Sequence, residues 1–334
     1  MQFPKVSFII PTLNEEKNIN RCLSAIRSQL YPQEKVEIIV ADAYSKDNTR
    51  HIANEYDAII IDNPEILHEH GKTRAMEKAT GEILFFTDAD NVLADNHWLT
   101  HMTKPYIDDP SIMGFLPQTV PAPDTNGIDT YLGYLCTEPF TWFVYGHATT
   151  PRDYGTLYKP TKITNSYKLY QFPIDNHPLL GTAQGFGVNA KLFKRNAQTK
   201  GDDILAGINI IEKKGIIAYI PQAGIYHYHI SDIGNYIRKY SWRVKNNLQR
   251  VYKETGLVNR MKYHSFQRKI RMALFIPYAI SILFPLIDSI RLSIKHHNFI
   301  MFEHLPATIL MAYIIMKEYL LHLLKPHSHL GTYE

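Results

Sequence analysis

The sequence predicts an α/β fold, a mostly parallel sheet with helices packed between its strands, followed by a helical C-terminal segment. Three observations point to it. Short apolar runs at residues 6–10, 36–40, 58–61 and 82–86 alternate with stretches whose apolar residues recur at helical spacing. Pro11 and Thr12, Asp42, and the pair Asp88 and Asp90 close three of these runs. In a parallel sheet all of them would lie on the carboxyl edge, where such sheets bind ligands. Finally, 334 residues with 45% hydrophobic content are enough to bury a full α/β core.

Composition narrows the function classes. The net charge of +4 is mild and the first two-thirds hold no Lys/Arg run of nucleic-acid type, so no nucleic acid is the expected partner. Cys22 and Cys136, the two cysteines, offer neither a disulfide framework nor a metal cluster, and Cys22 falls on a helical apolar stripe that would bury it. The chain enters a strand almost at once, without a basic n-region and apolar core, so residence on the cytoplasmic side is expected.

The first strand ends at Pro11 and Thr12. Asn14 then offers a cap, with Glu15 and Glu16 in the first turn, for a helix carrying Ile19, Cys22, Leu23, Ile26 and Leu30 at helical spacing. Residues 36–40 form a second strand ending at Asp42, and 45–49 supply turn and cap residues for a short helix. Residues 58–61 are a third strand, 68–79 a helix, and 82–86 a fourth strand. That strand runs into Asp88-Ala89-Asp90. Alternation along the extended strand puts both carboxylates on one side, facing one hard divalent ion and leaving its other positions to phosphate oxygens and water.

Residues 8–15, 40–49 and 79–90 together resemble family 2 glycosyltransferases of the GT-A fold, in order, spacing and strand context, across about the first hundred residues. The resemblance implies inverting transfer of a sugar from a nucleotide-diphosphate sugar, a UDP- or GDP-sugar, with Mn²⁺ or Mg²⁺ as cofactor. It implies that Pro11, Thr12 and Glu15 line the nucleotide pocket, that Asp42 hydrogen-bonds the base, and that Asp88 and Asp90 serve ribose and metal. The sequence departs from the family at Ala43 and Tyr44, where Asp and Gly are common, although the Tyr44 ring offers a surface on which a base could stack. Lys72 stands where the resemblance puts a basic residue near the donor, to offset diphosphate charge. Lys72, Arg74 and Lys78 also read as the solvated face of a surface helix.

Beyond residue 98 a helix to 106 and a strand at 112–116 are expected. The aromatic stretch 131–145 reads as core, with sugar stacking as the alternative, and 149–176 as a mobile acceptor-side loop. The glycines of 180–187 match neither dinucleotide nor Walker spacing, and a short helix is expected from Lys191. Asp202 and Asp203 open a helix and read either as its cap or, through the resemblance, as the acidic pair that supplies the catalytic base, with Asp203 the matching member and Asp202 the fallback. A strand at 216–220 is closed by Pro221. His227 lies where many relatives carry a histidine near the diphosphate, able to complete the metal shell. Ser241 before Trp242 breaks the Gln-x-x-Arg-Trp pattern of processive synthases.

The C-terminal third changes character. Arg260, Lys262, Arg268, Lys269 and Arg271 lead into an apolar run at 272–287 broken by Pro277 and Pro285, and a second at 305–324 is interrupted by Lys317 and Glu318. Either would lie in a membrane interface or form a shallow re-entrant hairpin, or else pack on the catalytic core. The expected organisation is a catalytic domain at 1–255, split into a nucleotide-sugar half at 1–118 and an acceptor half at 119–255, with a membrane-associated tail at 256–334. The expected acceptor is lipid-linked or a cell-surface glycan, reached by a peripheral, monotopic or re-entrant enzyme at the cytoplasmic face of the membrane. A pseudoenzyme that binds nucleotide or glycan is the alternative; a sugar nucleotidyltransferase lacks its Gly-rich basic loop here.

Overall fold

Apolar β-branched runs become central strands where helices can cover both faces. In the computed structural model, which describes residues 3–125, 127–146, 149–180, 184–193, 205–228, 230–249 and 261–325, β1 (Val6–Thr12), β2 (Val36–Asp42), β3 (Ile59–Asp62) and β4 (Ile83–Thr87) pair in parallel in the order β3-β2-β1-β4. The crossovers are α1 (Ile19–Arg27), α2 (Thr49–Glu55) and α3 (His68–Lys78). Ile19, Cys22, Leu23 and Ile26 of α1 are buried. Asn14 does not cap that helix: it sits at φ 52°, the helix starts after Asn18, and Leu30 lies past its end, 58% exposed. The loop takes up the residues between because its side chains are bonded to the loop after β2.

The sheet then becomes mixed. α4 (Trp98–Asp108) buries Trp98 against Phe8 and Phe85, at ring-centroid distances of 6.1 and 5.1 Å. β9 (Gln184–Asn189) runs antiparallel between β4 and β6 (Gly114–Val120), and β10 (Ile217–His227) follows β6 in parallel. β10 also pairs antiparallel with β8 (Lys168–Tyr170) and with the short β5 (Asn91–Leu93). Pro221 does not close this strand. A register irregularity between Ile220 and Gly224 lets exposed Pro221 and Gln222 bulge outward, where the missing N–H costs nothing, and pairing resumes to His227.

Nor is 149–176 a bare loop. It contains α7 (Pro151–Leu157), β7 (Lys162–Ile163) and β8, tied by the mutually packed rings of Tyr154, Tyr158, Tyr170 and Phe172. Lys191 and Leu192 form a turn rather than the start of a helix, and α8 (Leu205–Glu212) carries the expected apolar helix.

The chain folds into two compact units, Met1–Val120 with Thr150–His227, and Pro121–Thr149 with Tyr228–Glu334. α5 (Gly127–Leu135), α6 (Pro139–Tyr145) and α9 (Ile233–Gln249) share a core with α10 (Phe266–Ile280), α11 (Leu283–His296) and α12 (His304–Leu324). Aromatic burial draws them together: Tyr131, Trp142, Tyr236, Tyr240 and Phe275 are fully buried in it, so the aromatic stretch is core. His304, also fully buried, joins Tyr131 Oη to Nδ1 at 2.6 Å and Tyr278 Oη to Nε2 at 3.0 Å, pinning α5 and α10 to α12.

Candidate active site

Parallel pairing brings the ends of β1, β2 and β4 to one edge of the first unit. Asp42 is there, but fully buried and turned inward. It accepts from Thr12 Oγ1 at 3.1 Å, Ser45 N at 3.0 Å, Ser45 Oγ at 2.5 Å and Arg50 Nη1 at 3.1 Å. A carboxylate so engaged fixes the loop. The loops after β1 and β2 are cross-laced: Asn14 N donates to Ser45 Oγ, Glu15 N to Thr49 Oγ1, Glu16 N to Asp47 Oδ2, and Lys46 N to Asn14 Oδ1. Burial alone would raise the Asp47 carboxyl, but hydrogen bonds from Thr49 and Glu16 hold it below its usual range. Pro11 and Thr12 are buried beneath this lattice, and the Glu15 carboxylate accepts from Asn18 at 2.9 Å. Tyr44 stands out of it, 54% exposed and at φ 60°, a conformation that costs a non-glycine residue about 1 kcal/mol or more.

β4 ends at Thr87, so strand alternation does not orient the two aspartates; they lie in the turn that follows, closed by Asn91 N donating to Asp88 O at 3.1 Å. Their partners differ. Lys72 is buried, with its Nζ 3.2 Å from Asp88 Oδ1, so it is no part of a solvated face; Arg74, 43% exposed, pairs instead with Glu65. Asp90 Oδ2 is 3.2 Å from His227 Nε2, because the antiparallel register of β10 on β5 sets His227 opposite Asn91. Cys22 Sγ lies 3.8 Å from Asp88 O. Burial, then the charges of Asp90 and Asp88, push its thiol well up, keeping it neutral behind the turn.

The sequence reading missed Gln184 and Thr119. Gln184 Nε2 is 2.9 Å from His227 Nδ1, and Thr119 Oγ1 donates to Gln184 Oε1 at 3.0 Å. Gln184 stood within the stretch noted for its glycines, but no spacing links it to His227. Asp202 and Asp203 lie outside the described residues.

Comparison with known proteins finds a family model over the first part of the chain. The model of the family described as Glycosyl transferase family 2 matches residues 7–162, which hold the lattice, Lys72, Asp88 and Asp90. The match covers 156 of the chain's 334 residues, a little under half. Glycosyltransferase AglE of Haloferax volcanii is 42% identical over 94 residues, covering 26% of this chain and 31% of that protein. The poly(ribitol-phosphate) beta-N-acetylglucosaminyltransferase TarS of Staphylococcus aureus is 33% identical over 95 residues, 27% of this chain and 17% of its own. The matches thus span less than a third of these relatives' lengths. The mannosyltransferase PcManGT from Pyrobaculum calidifontis, solved with GDP-Man and Mn²⁺, has a TM-score of 0.51 at 16% identity, covering 95% of this chain and 88% of that one. The chain therefore has a GT-A-like α/β fold.

A divalent ion is what the resemblance leads one to look for. Among the described residues, no three His, Cys, Asp or Glu side chains are grouped to hold one. Of Asp88, Asp90 and His227, Asp90 and His227 lie against each other, while Asp88 Oδ1 lies against Lys72. A carboxylate and an imidazole still suit Mn²⁺ or Mg²⁺ when diphosphate oxygens and water fill the remaining positions.

Proposed function

We propose that this chain transfers a sugar, with inversion, from a UDP- or GDP-sugar to a lipid-linked or cell-surface glycan acceptor. The observation that carries the reading is the convergence of Lys72–Asp88 and Asp90–His227 on the carboxyl edge of the strands in a family 2 domain. Lys72 would lie beside the diphosphate, Asp88 would serve the ribose, and Tyr44 would stack on the base above Pro11, Thr12 and Glu15. Asp90 and His227 would hold a divalent ion, which when bound neutralises the departing diphosphate. That PcManGT was solved in complex with GDP-Man and Mn²⁺ supports this reading. Asp203, with Asp202 as fallback, would accept the acceptor hydroxyl's proton as its oxygen bonds the anomeric carbon and the carbon–diphosphate bond breaks. The experiment incubates the protein with labelled UDP- and GDP-sugars and a membrane extract. Label should enter a lipid-extractable or glycan fraction and drop to background in Asp203→Asn; no incorporation from any donor would contradict the reading.

We further propose that the protein is peripheral on the cytoplasmic face of a membrane, monotopic or re-entrant. In the second unit, residues 299–324 are long and apolar enough to cross a membrane, whereas α10 and α11 pass that test only as a pair bent by 97°. The bend exposes Ile280, Ile282, Leu283 and Phe284, each more than half exposed. Residues 256–334 hold nine of the chain's 36 Lys/Arg but four of its 32 Asp/Glu, so the net positive charge sits there. Flotation should carry the protein up with vesicles containing anionic lipid, and Ile282→Ser with Phe284→Ser should weaken this. Absence from floated vesicles of every composition would contradict it.

A further inference from the structure

We propose that Gln184, braced by Thr119, is the positioning residue that decides which ring nitrogen His227 presents to the diphosphate end of the site. The proposal rests on the reading of Asp90 and His227 as the cation-holding pair. The backbone puts Gln184 in place: β9 pairs it with Thr87 through a register irregularity, and Gly185 follows at φ +71°, where a Cβ would come within 2.9 Å of Ile225 and 3.0 Å of Trp98. Its amide therefore meets the imidazole from β9, while Thr119 meets the amide from β6.

The hydrogen bonds have a direction. The Thr119 hydroxyl donates to Gln184 Oε1, so the amide N–H faces His227, and Nδ1 of the ring accepts it. The proton then resides on Nε2 and is donated to Asp90 Oδ2. In this state the ring has no lone pair to give a cation on that side. A half-turn of the amide gives the other state: Oε1 accepts from Nδ1–H, the amide N–H donates to Thr119 Oγ1, and the Nε2 lone pair faces the Asp90 carboxylate, an arrangement that a cation held by both would favour. A hydroxyl both donates and accepts, so Thr119 and Gln184 stay bonded in either state, while the unprotonated Nε2 beside Asp90 is favoured only when a cation is held there. The Thr119–Gln184 pair is thus a reversible outer brace that sets His227 in the form bound by a cation or in the form bonded to Asp90.

Two variants of the full chain test it, with Mn²⁺ titrated in the presence of GDP or of UDP and free Mn²⁺ read by electron paramagnetic resonance. Gln184→Leu should raise the Mn²⁺ dissociation constant about 10–100-fold, as losses of outer partners do. Gln184→Glu, which offers Nδ1–H only acceptors, should bind Mn²⁺ at least as tightly as the parent. Nitrogen-15 spectra with Mg²⁺ should show the His227 proton on Nδ1 in that variant. If the parent binds Mn²⁺ with the nucleotide and both variants match it, Gln184 does not position the ring, while the donor-site reading stands. If the parent binds no Mn²⁺ with either nucleotide, both fall together.

Discussion

A Lys72→Met chain is expected to lose about 2 kcal/mol of stability and most of its affinity for nucleoside diphosphates. The Lys72 side chain is 6% exposed and its Nζ lies 3.2 Å from Asp88 Oδ1, itself 25% exposed. Breaking a fully buried pair costs about 3–5 kcal/mol and an exposed one about 0–1, so this half-sheltered pair falls between. Methionine keeps the apolar stem packed, which confines the loss to the charge. Chemical denaturation gives the stability, and Asp88→Asn in the same background should recover part of it, since the carboxylate would no longer stand beside an empty position. Lys78→Met, on the exposed face of the same helix, is the control that should change neither quantity. A Lys72→Met chain as stable and as nucleotide-binding as the parent would make the ion pair incidental.

The first half of the fold was legible because its signals are local. β1 to β4 and the helices between them are written in short apolar runs and their turn residues, and right-handed parallel pairing then brings Thr12, Asp42 and Asp88 to one edge. What those side chains do there was less legible. Asp42 stands where it was expected, yet Arg50, Ser45 and Thr12 claim its oxygens. Lys72 read as well for solvent as for the site, and only its place on the buried face of α3 separates the two. Long-range register was hidden altogether. Nothing in the run 216–227 says that Pro221 can bulge out and let β10 reach Asn91, although that register sets His227 on Asp90. The same holds for Gln184, placed by an irregularity on β9, and for the aromatic helices α5 and α6, whose core partners come more than a hundred residues later.

The central claim is that Asp90 with His227 forms the cation-holding end of a nucleotide-diphosphate site. It is tested most directly by titration calorimetry of UDP and GDP, each with and without Mn²⁺, on the parent and on Asp90→Ala. One nucleotide should bind the parent more tightly with Mn²⁺ present. In Asp90→Ala that metal-dependent gain should fall by at least about 100-fold, since losing a direct ligand costs no less than losing an outer partner. Equal metal dependence in parent and variant, or no binding of either nucleotide to the parent at millimolar concentration with Mn²⁺ present, would contradict the account.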